Sequence, residues 1–174
     1  MSSINYDLTK IKAIAFDVDG VLSPSTIPMS TSGEPMRMVN IKDGYALQLA
    51  VKMGFKIAII SGARTEAVKV RFRSLGIEDV FTGISVKLPC LLDWMKHYNL
   101  APEEVAFVGD DIPDMEVMKH VGLPIAPADA APEVKDIALY ITPVNGGYGC
   151  GRNVIEQIMK AQGRWLADKR AFGW

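Results

Sequence analysis

Short, almost wholly apolar runs alternate along this chain with stretches of helical period, and few architectures accept that pattern. The runs are residues 11–16, 55–60, 79–82, 105–108, 123–126 and 138–141. A strand with one wet face alternates polar and apolar side chains. These runs do not, so they suit a parallel sheet covered on both faces. Between them, residues 44–53, 65–75, 88–98, 114–120 and 153–161 carry apolar side chains at helical spacing. The order predicts an α/β protein: a three-layer, Rossmann-like sandwich with a central parallel sheet. At 174 residues, with no repeat and no low-complexity linker, the whole chain 1–174 reads as one domain.

One region breaks the alternation. Residues 23–42 are polar and punctuated by Pro and Gly, with Thr31-Ser32-Gly33-Glu34 at the centre. Apolar arms on either side predict a β-hairpin projecting from the sheet. Its methionines, Met29, Met36 and Met38, suggest that it packs on a partner. The tail, residues 163–174, is either disordered or docked, and Trp165 and Trp174 favour docking.

The acids have a pattern of their own. Asp17-Val18-Asp19-Gly20 follows the first run, and Gly109-Asp110-Asp111-Ile112-Pro113-Asp114 follows the fourth. In open α/β sheets, ligands bind beyond the carboxyl ends of the strands. Carboxylates crowded there repel one another unless a cation or a shared proton intervenes. Helix capping accounts for one Asp after the fourth run, not three. Side by side, the two strand ends would form an oxygen-rich site suited to Mg²⁺, which keeps waters and bridges to phosphate. Ser61-Gly62 ends the second run, where a hydroxyl and a flexible amide can hold phosphate oxygens. Lys87 stands past the third run, ahead of a helix.

Composition excludes several classes. Lys+Arg 19 against Asp+Glu 20 leaves a net charge of -1, which offers little to nucleic acid. Two cysteines, Cys90 and Cys150, rule out a disulfide scaffold and a four-thiolate zinc site. No run approaches the ~18 apolar residues of a membrane span. The first seven residues lack the basic region and apolar run of a signal peptide, so a cytoplasmic protein is expected. No Gly-x-Gly-x-x-Gly follows the first run, which excludes dinucleotide binding. His97 and His120 read as surface or packing residues.

Taken in order, Asp17-Val18-Asp19-Gly20-Val21, Ser61, Lys87 and Gly109-Asp110-Asp111 with Asp114 resemble the four motifs of the haloacid dehalogenase superfamily of phosphatases. The likeness runs from about Ile11 to about Met159 and leaves no room for a large cap domain. A finer likeness is to the capless branch that hydrolyses 3-deoxy-D-manno-octulosonate 8-phosphate in lipopolysaccharide precursor synthesis. Gly33-Glu34, Asn40-Ile41-Lys42-Asp43-Gly44, Leu75-Gly76-Ile77, Gly146-Gly147-Tyr148-Gly149 and Arg152 carry it. Phosphatases of a nonulosonate 9-phosphate are similar too. There an acidic residue tends to follow the Ser/Thr-Gly, where this chain has Ala63, which favours the octulosonate. A receiver-type phosphoacceptor also clusters carboxylates, but places its phosphorylated Asp mid-chain and its acidic pair early.

The resemblance implies Asp17 as nucleophile and Asp19 as acid and base, with Ser61 and Lys87 holding the phosphoryl oxygens. It implies Mg²⁺ on the Asp17 carboxylate, the Asp19 carbonyl and Asp110. Asp111 and Asp114 would act directly, through water, or by orienting Lys87. Gly62, Arg64, Arg71 and Arg152 are the candidates for binding a sugar-acid phosphate, because an arginine fork suits a carboxylate. The resembling branch forms tetramers, so a homotetramer with sites near subunit interfaces is expected.

Overall fold

The structure, a computed structural model, describes residues 4–174. The reading of the first seven residues falls partly on residues 1–3, outside the described ones. In chain order, strand β1 is Ala13–Phe16, helix α1 Ile41–Lys52, β2 Lys56–Ser61, α2 Glu66–Arg73, β3 Asp79–Thr82 and α3 Lys87–His97. Then come β4 Val105–Val108, α4 Met115–Met118, β5 Leu123–Ala126, α5 Pro132–Ile137, β6 Tyr140–Ile141 and α6 Cys150–Ala161. The six strands form one sheet in the order β3-β2-β1-β4-β5-β6, and every pairing is parallel.

Side chains alternate across the sheet and build two cores. Ile14, Phe16, Ile57, Ile59, Ala106 and Val108 face α1, α2 and α6, where Leu47, Phe72 and Ile155 are buried against them. Ala13, Ala15, Ala58, Ile60, Val105 and Phe107 face α3, α4 and α5, against Leu91, Trp94, Val117 and Val134. Apart from Lys56 and Ser61 at the two ends of β2, these strands are apolar throughout because both faces are covered. Phe16 is in register with Ile59 on one side and Val108 on the other. β1 and β4 therefore finish level at their carboxyl ends, β2 runs two residues further to Ser61, and the residues that follow β1 and β4 meet.

The projecting region differs in detail from the expected hairpin. Its two arms do double back, around a turn in which Ser30 N–H donates to Glu34 O at 2.9 Å. They pair through a single antiparallel bridge, Met29 with Pro35, and not through a ladder. Pro28 and Pro35 lack the N–H groups a ladder needs. The far arm also ends earlier than expected. Asn40 caps α1 by accepting from Lys42 N at 2.9 Å and Asp43 N at 3.2 Å, so residues 41–43 are helical. Met29, Met36, Met38 and Val39 are exposed, as expected.

Other boundaries shift as well. α6 begins at Cys150, three residues before the expected start, and the stretch at 114–120 is a 3-10 turn, Ile112–Asp114, running into the short α4. The last strand shrinks to two residues, and α5 was not foreseen. The tail is docked. Tyr45 OH donates to Ala171 O, Arg170 Nη1 to Lys52 O at 2.9 Å, and Trp165 and Trp174 meet the Tyr45 ring edge-on. No helix among the described residues is long and apolar enough to cross a membrane.

Candidate active site

Asp17 leaves β1 still tied to its neighbour, its N–H donating to Val108 O at 3.0 Å. The chain then folds sharply. Val18 O accepts from Leu22 N at 2.9 Å and Ser23 N at 2.8 Å. Gly20 takes a φ of 79°, and a Cβ there would stand 1.8 Å from Asp110 Oδ2. Only glycine lets the acids after β1 and β4 close up this far.

Lys87, the first residue of α3, is buried between the two strand ends. Its Nζ lies 2.9 Å from Asp17 Oδ2 and 2.5 Å from Asp114 Oδ1. Burial pulls its ammonium toward neutrality, but Asp17 and Asp114 raise its pKa by more. The other oxygen of Asp114 accepts from Asp110 N at 3.0 Å. Asp114 thus contacts both Lys87 and the backbone of the loop after β4. Asp111 caps the following turn by accepting from Ile112 N at 2.8 Å.

Oxygens of Asp17, Asp110 and Asp114 lie within 4.8 Å of one another. Burial, then the charge of Asp114, pushes Asp17 up to about 6. Burial, then the charges of Asp17, Asp114 and Asp111, pushes Asp110 up to about 8. One lysine does not neutralise this cluster, and a hard divalent cation fits it. Asp17, Asp110 and Asp114 each offer one oxygen to such an ion, and of the three only Asp110 has no side-chain oxygen engaged by Lys87. The Asp19 carboxylate lies outside the cluster, so only its backbone carbonyl remains as the expected donor.

Ser61, the last residue of β2, is buried. Its Oγ accepts from Ala63 N at 3.1 Å, which leaves the hydroxyl proton to donate. Asp17, Asp19, Gly20, Lys87, Asp110 and Asp114 line one cleft of about 280 Å³. A more apolar cleft of about 430 Å³ lies between the projecting loop and α2, lined by Arg71, Phe72, Met36 and Met38 among others. A third, of about 540 Å³, holds Gly62 and Arg64. The structure does not bring Arg152 to these walls. It pairs with Glu156 at 3.3 Å and lies over the Tyr45 and Trp165 rings.

Sequence reasoning missed two features. Arg37, in the projecting loop, grips Asp19 with two bonds, Nε to Oδ1 at 2.7 Å and Nη2 to Oδ2 at 2.8 Å. A lone arginine in a loop has no local pattern to announce it. The second is a clamp on the glycine loop. Asp43 accepts from Arg152 N at 2.6 Å, and Asn40 Nδ2 donates to Gly147 O at 3.2 Å. Gly147 N in turn donates to Val21 O at 2.7 Å, pressing the loop against the turn after Asp19.

A profile of haloacid dehalogenase-like hydrolases matches residues 82–150. The chain is 40% identical over 154 residues to the 3-deoxy-D-manno-octulosonate 8-phosphate phosphatase of Escherichia coli K12, covering 88% of this chain and 82% of that one. Among solved structures it resembles the phosphatase of that name from Yersinia pestis, with TM-score 0.88, 36% identity, and 91% and 85% of the two chains covered. It also resembles the Moraxella catarrhalis enzyme in complex with magnesium, phosphate and the KDO molecule. There the TM-score is 0.89, at 32% identity and 96% of each chain. The chain is thus a phosphatase, and it belongs to the haloacid dehalogenase-like hydrolases, in the family of the 3-deoxy-D-manno-octulosonate 8-phosphate phosphatases.

Proposed function

We propose that this chain hydrolyses 3-deoxy-D-manno-octulosonate 8-phosphate with Mg²⁺, through an aspartyl-phosphate on Asp17, in the cytoplasmic synthesis of lipopolysaccharide precursor. The observation that carries this reading is the Asp17–Lys87–Asp114 arrangement beside Asp110, in a chain 40% identical to the Escherichia coli enzyme. Asp17 attacks phosphorus. Its O–P bond forms as the ester O–P bond breaks, and Asp19 protonates the departing sugar oxygen. Water then attacks the phosphorus, Asp19 takes a proton from it, and the bond to Asp17 breaks. Lys87, the Ser61 hydroxyl and the Gly62 amide hold the phosphoryl oxygens, whose charge they stabilise most in the transition state. When bound by Asp17, Asp110 and the Asp19 carbonyl, Mg²⁺ supplies the charge that lets an anionic nucleophile approach an anionic ester. Asp114 keeps Lys87 aimed, and Asp111 holds the turn below it.

The exposed methionines of the projecting loop support a homotetramer in which this loop meets its copies. Arg64 and Arg71, each lining a cleft that Arg37 also lines, are the cations this reading offers to the sugar acid. The test is phosphate release from the octulosonate 8-phosphate, a nonulosonate 9-phosphate and glucose 6-phosphate, each with Mg²⁺ and with chelator. The octulosonate ester should be preferred by at least about tenfold in kcat/KM, and chelation should abolish turnover. Equal turnover of the three esters would reject the substrate, and turnover under chelation would reject the metal.

A further inference from the structure

Arg37 has one edge of its guanidinium in use and one to spare. Nε and Nη2 donate to the two oxygens of Asp19. The opposite edge is Nη1 together with the second N–H of Nη2. Nη1 is buried and has no hydrogen-bond partner among the described residues. The Arg37 side chain is only 12% exposed, so water satisfies it poorly. A buried charged donor without an acceptor is costly, and such positions call for a ligand.

The surroundings define that ligand. Arg37 lines both the cleft that holds Arg71 and the cleft that holds Gly62 and Arg64. Glu34 lines both clefts and Glu66 the second, but neither bonds Arg37 Nη1, and an acceptor that meets Arg37 together with Arg64 or Arg71 is an anion. The phosphoryl group belongs beside Lys87 and Asp17, in the neighbouring cleft. The other anion of a sugar-acid phosphate is its carboxylate, whose two oxygens match the free edge of the fork.

We propose that Arg37 is the specificity residue of this phosphatase, binding the substrate carboxylate with its outer edge while its inner edge holds Asp19 at the phosphoryl site. This rests on the sugar-acid reading above. One side chain then couples recognition of the acid to the placement of the group that serves the leaving oxygen. The projecting loop carries Arg37, so an ester without a carboxylate leaves both the loop and Asp19 less firmly held.

The experiment uses the full chain with Mg²⁺ and the generic ester para-nitrophenyl phosphate. Inhibition by free 3-deoxy-D-manno-octulosonate is compared with inhibition by its amide, for wild type, Arg37→Gln and Arg37→Lys. Wild type should bind the acid at least about tenfold more tightly than the amide. Arg37→Gln should lose that difference, and its kcat for para-nitrophenyl phosphate should fall as well, because Asp19 loses its two bonds. Arg37→Lys keeps the charge but not the fork, and should recover only part of the difference. Undiminished discrimination in a folded Arg37→Gln would overturn the inference, as would an equal rise in KM for esters with and without a carboxylate. Wild type that discriminates acid from amide through Arg37, yet leaves the octulosonate ester uncleaved, would overturn the substrate reading alone.

Discussion

A methyl group on Gly146 would press directly on the loop that carries Asp17 and Asp19. Its Cβ would stand 1.7 Å from Gly20 O, 2.4 Å from Gly20 C and 3.1 Å from Val21 N. Ordinary contact begins at 3.4 Å, so one backbone must retreat by about 1.7 Å. The Gly20 turn cannot absorb this by moving toward Asp110, because a Cβ on Gly20 would already lie 1.8 Å from that carboxylate. Either the turn carrying Asp17 and Asp19 is displaced, or the glycine loop lifts and the bond from Gly147 N to Val21 O breaks. Overpacking costs ~1–3 kcal/mol, and the lost bond adds ~1 kcal/mol. For a chain of this size each kcal/mol shifts Tm by about 2–4 °C, so Gly146→Ala should melt roughly 4–16 °C lower. A 1 Å error at the reacting atoms costs about 10²-fold, and kcat should fall by that order. Thermal melts followed by circular dichroism, and kcat for para-nitrophenyl phosphate at saturating Mg²⁺, measure both. Gly173→Ala is the control, since a Cβ there meets nothing within 4 Å. If Gly146→Ala keeps kcat within about threefold and Tm within about 2 °C, the glycine loop does not brace the acids.

Two further outcomes follow from the titrating groups. Burial raises Asp43 to about 6, offset in part by the backbone N–H groups of Arg152, Gly149 and Gly151. The native state therefore holds that proton more tightly than the unfolded chain. This contribution to stability is present in full below about pH 4 and is lost as pH rises through 6. Asp43→Asn removes it, so the Tm of the variant relative to wild type should climb between pH 4 and 7, and parallel Tm–pH curves would refute the assignment. Mg²⁺ must displace protons from Asp110, at about 8, and from Asp17, at about 6, so its affinity should strengthen from pH 6 to 8.5. At pH 7 the Asp110 proton alone should weaken binding about tenfold, with near one proton released per ion in calorimetry run in two buffers. A pH-independent Kd would place the ion elsewhere.

Residues 79–82 matched on Val80-Phe81 alone, while 105–108 and 123–126 were readable to the residue because buried parallel strands are unbroken apolar runs bounded by turn residues. α5 was not, because its six residues bury only Val134 and so show no period. Asn40 was misread as strand although it begins an Asn-x-x-Asp start signal; the methionines before it suggested a ribbon continuing through it. In the site, Asp17, Asp19, Lys87, Asp110 and Asp114 were legible because each follows an apolar run at a strand's carboxyl end. Arg37 was not, because its partner stands 18 residues away across an irregular loop. Arg152 looked available to substrate only while its neighbours Tyr45 and Trp165, 107 and 13 positions away, were out of view.

The central place of β1 sets an order of assembly. β1 pairs with β2 on one side and β4 on the other, so its second edge stays open until residue 105 has been made. Until then the chain carries an apolar strand with unpaired backbone groups, the kind of edge that recruits other chains. Lys87 is already present in such a fragment, while Asp114, one of the two carboxylates that surround it, is not. A nascent chain that stalls short of β4 therefore holds a sticky edge and a lysine with only one of its two carboxylates, Asp17. Synthesis beyond Asp114 closes both, so Asp110 and Asp114 arrive with the segment that makes the sheet safe in solution.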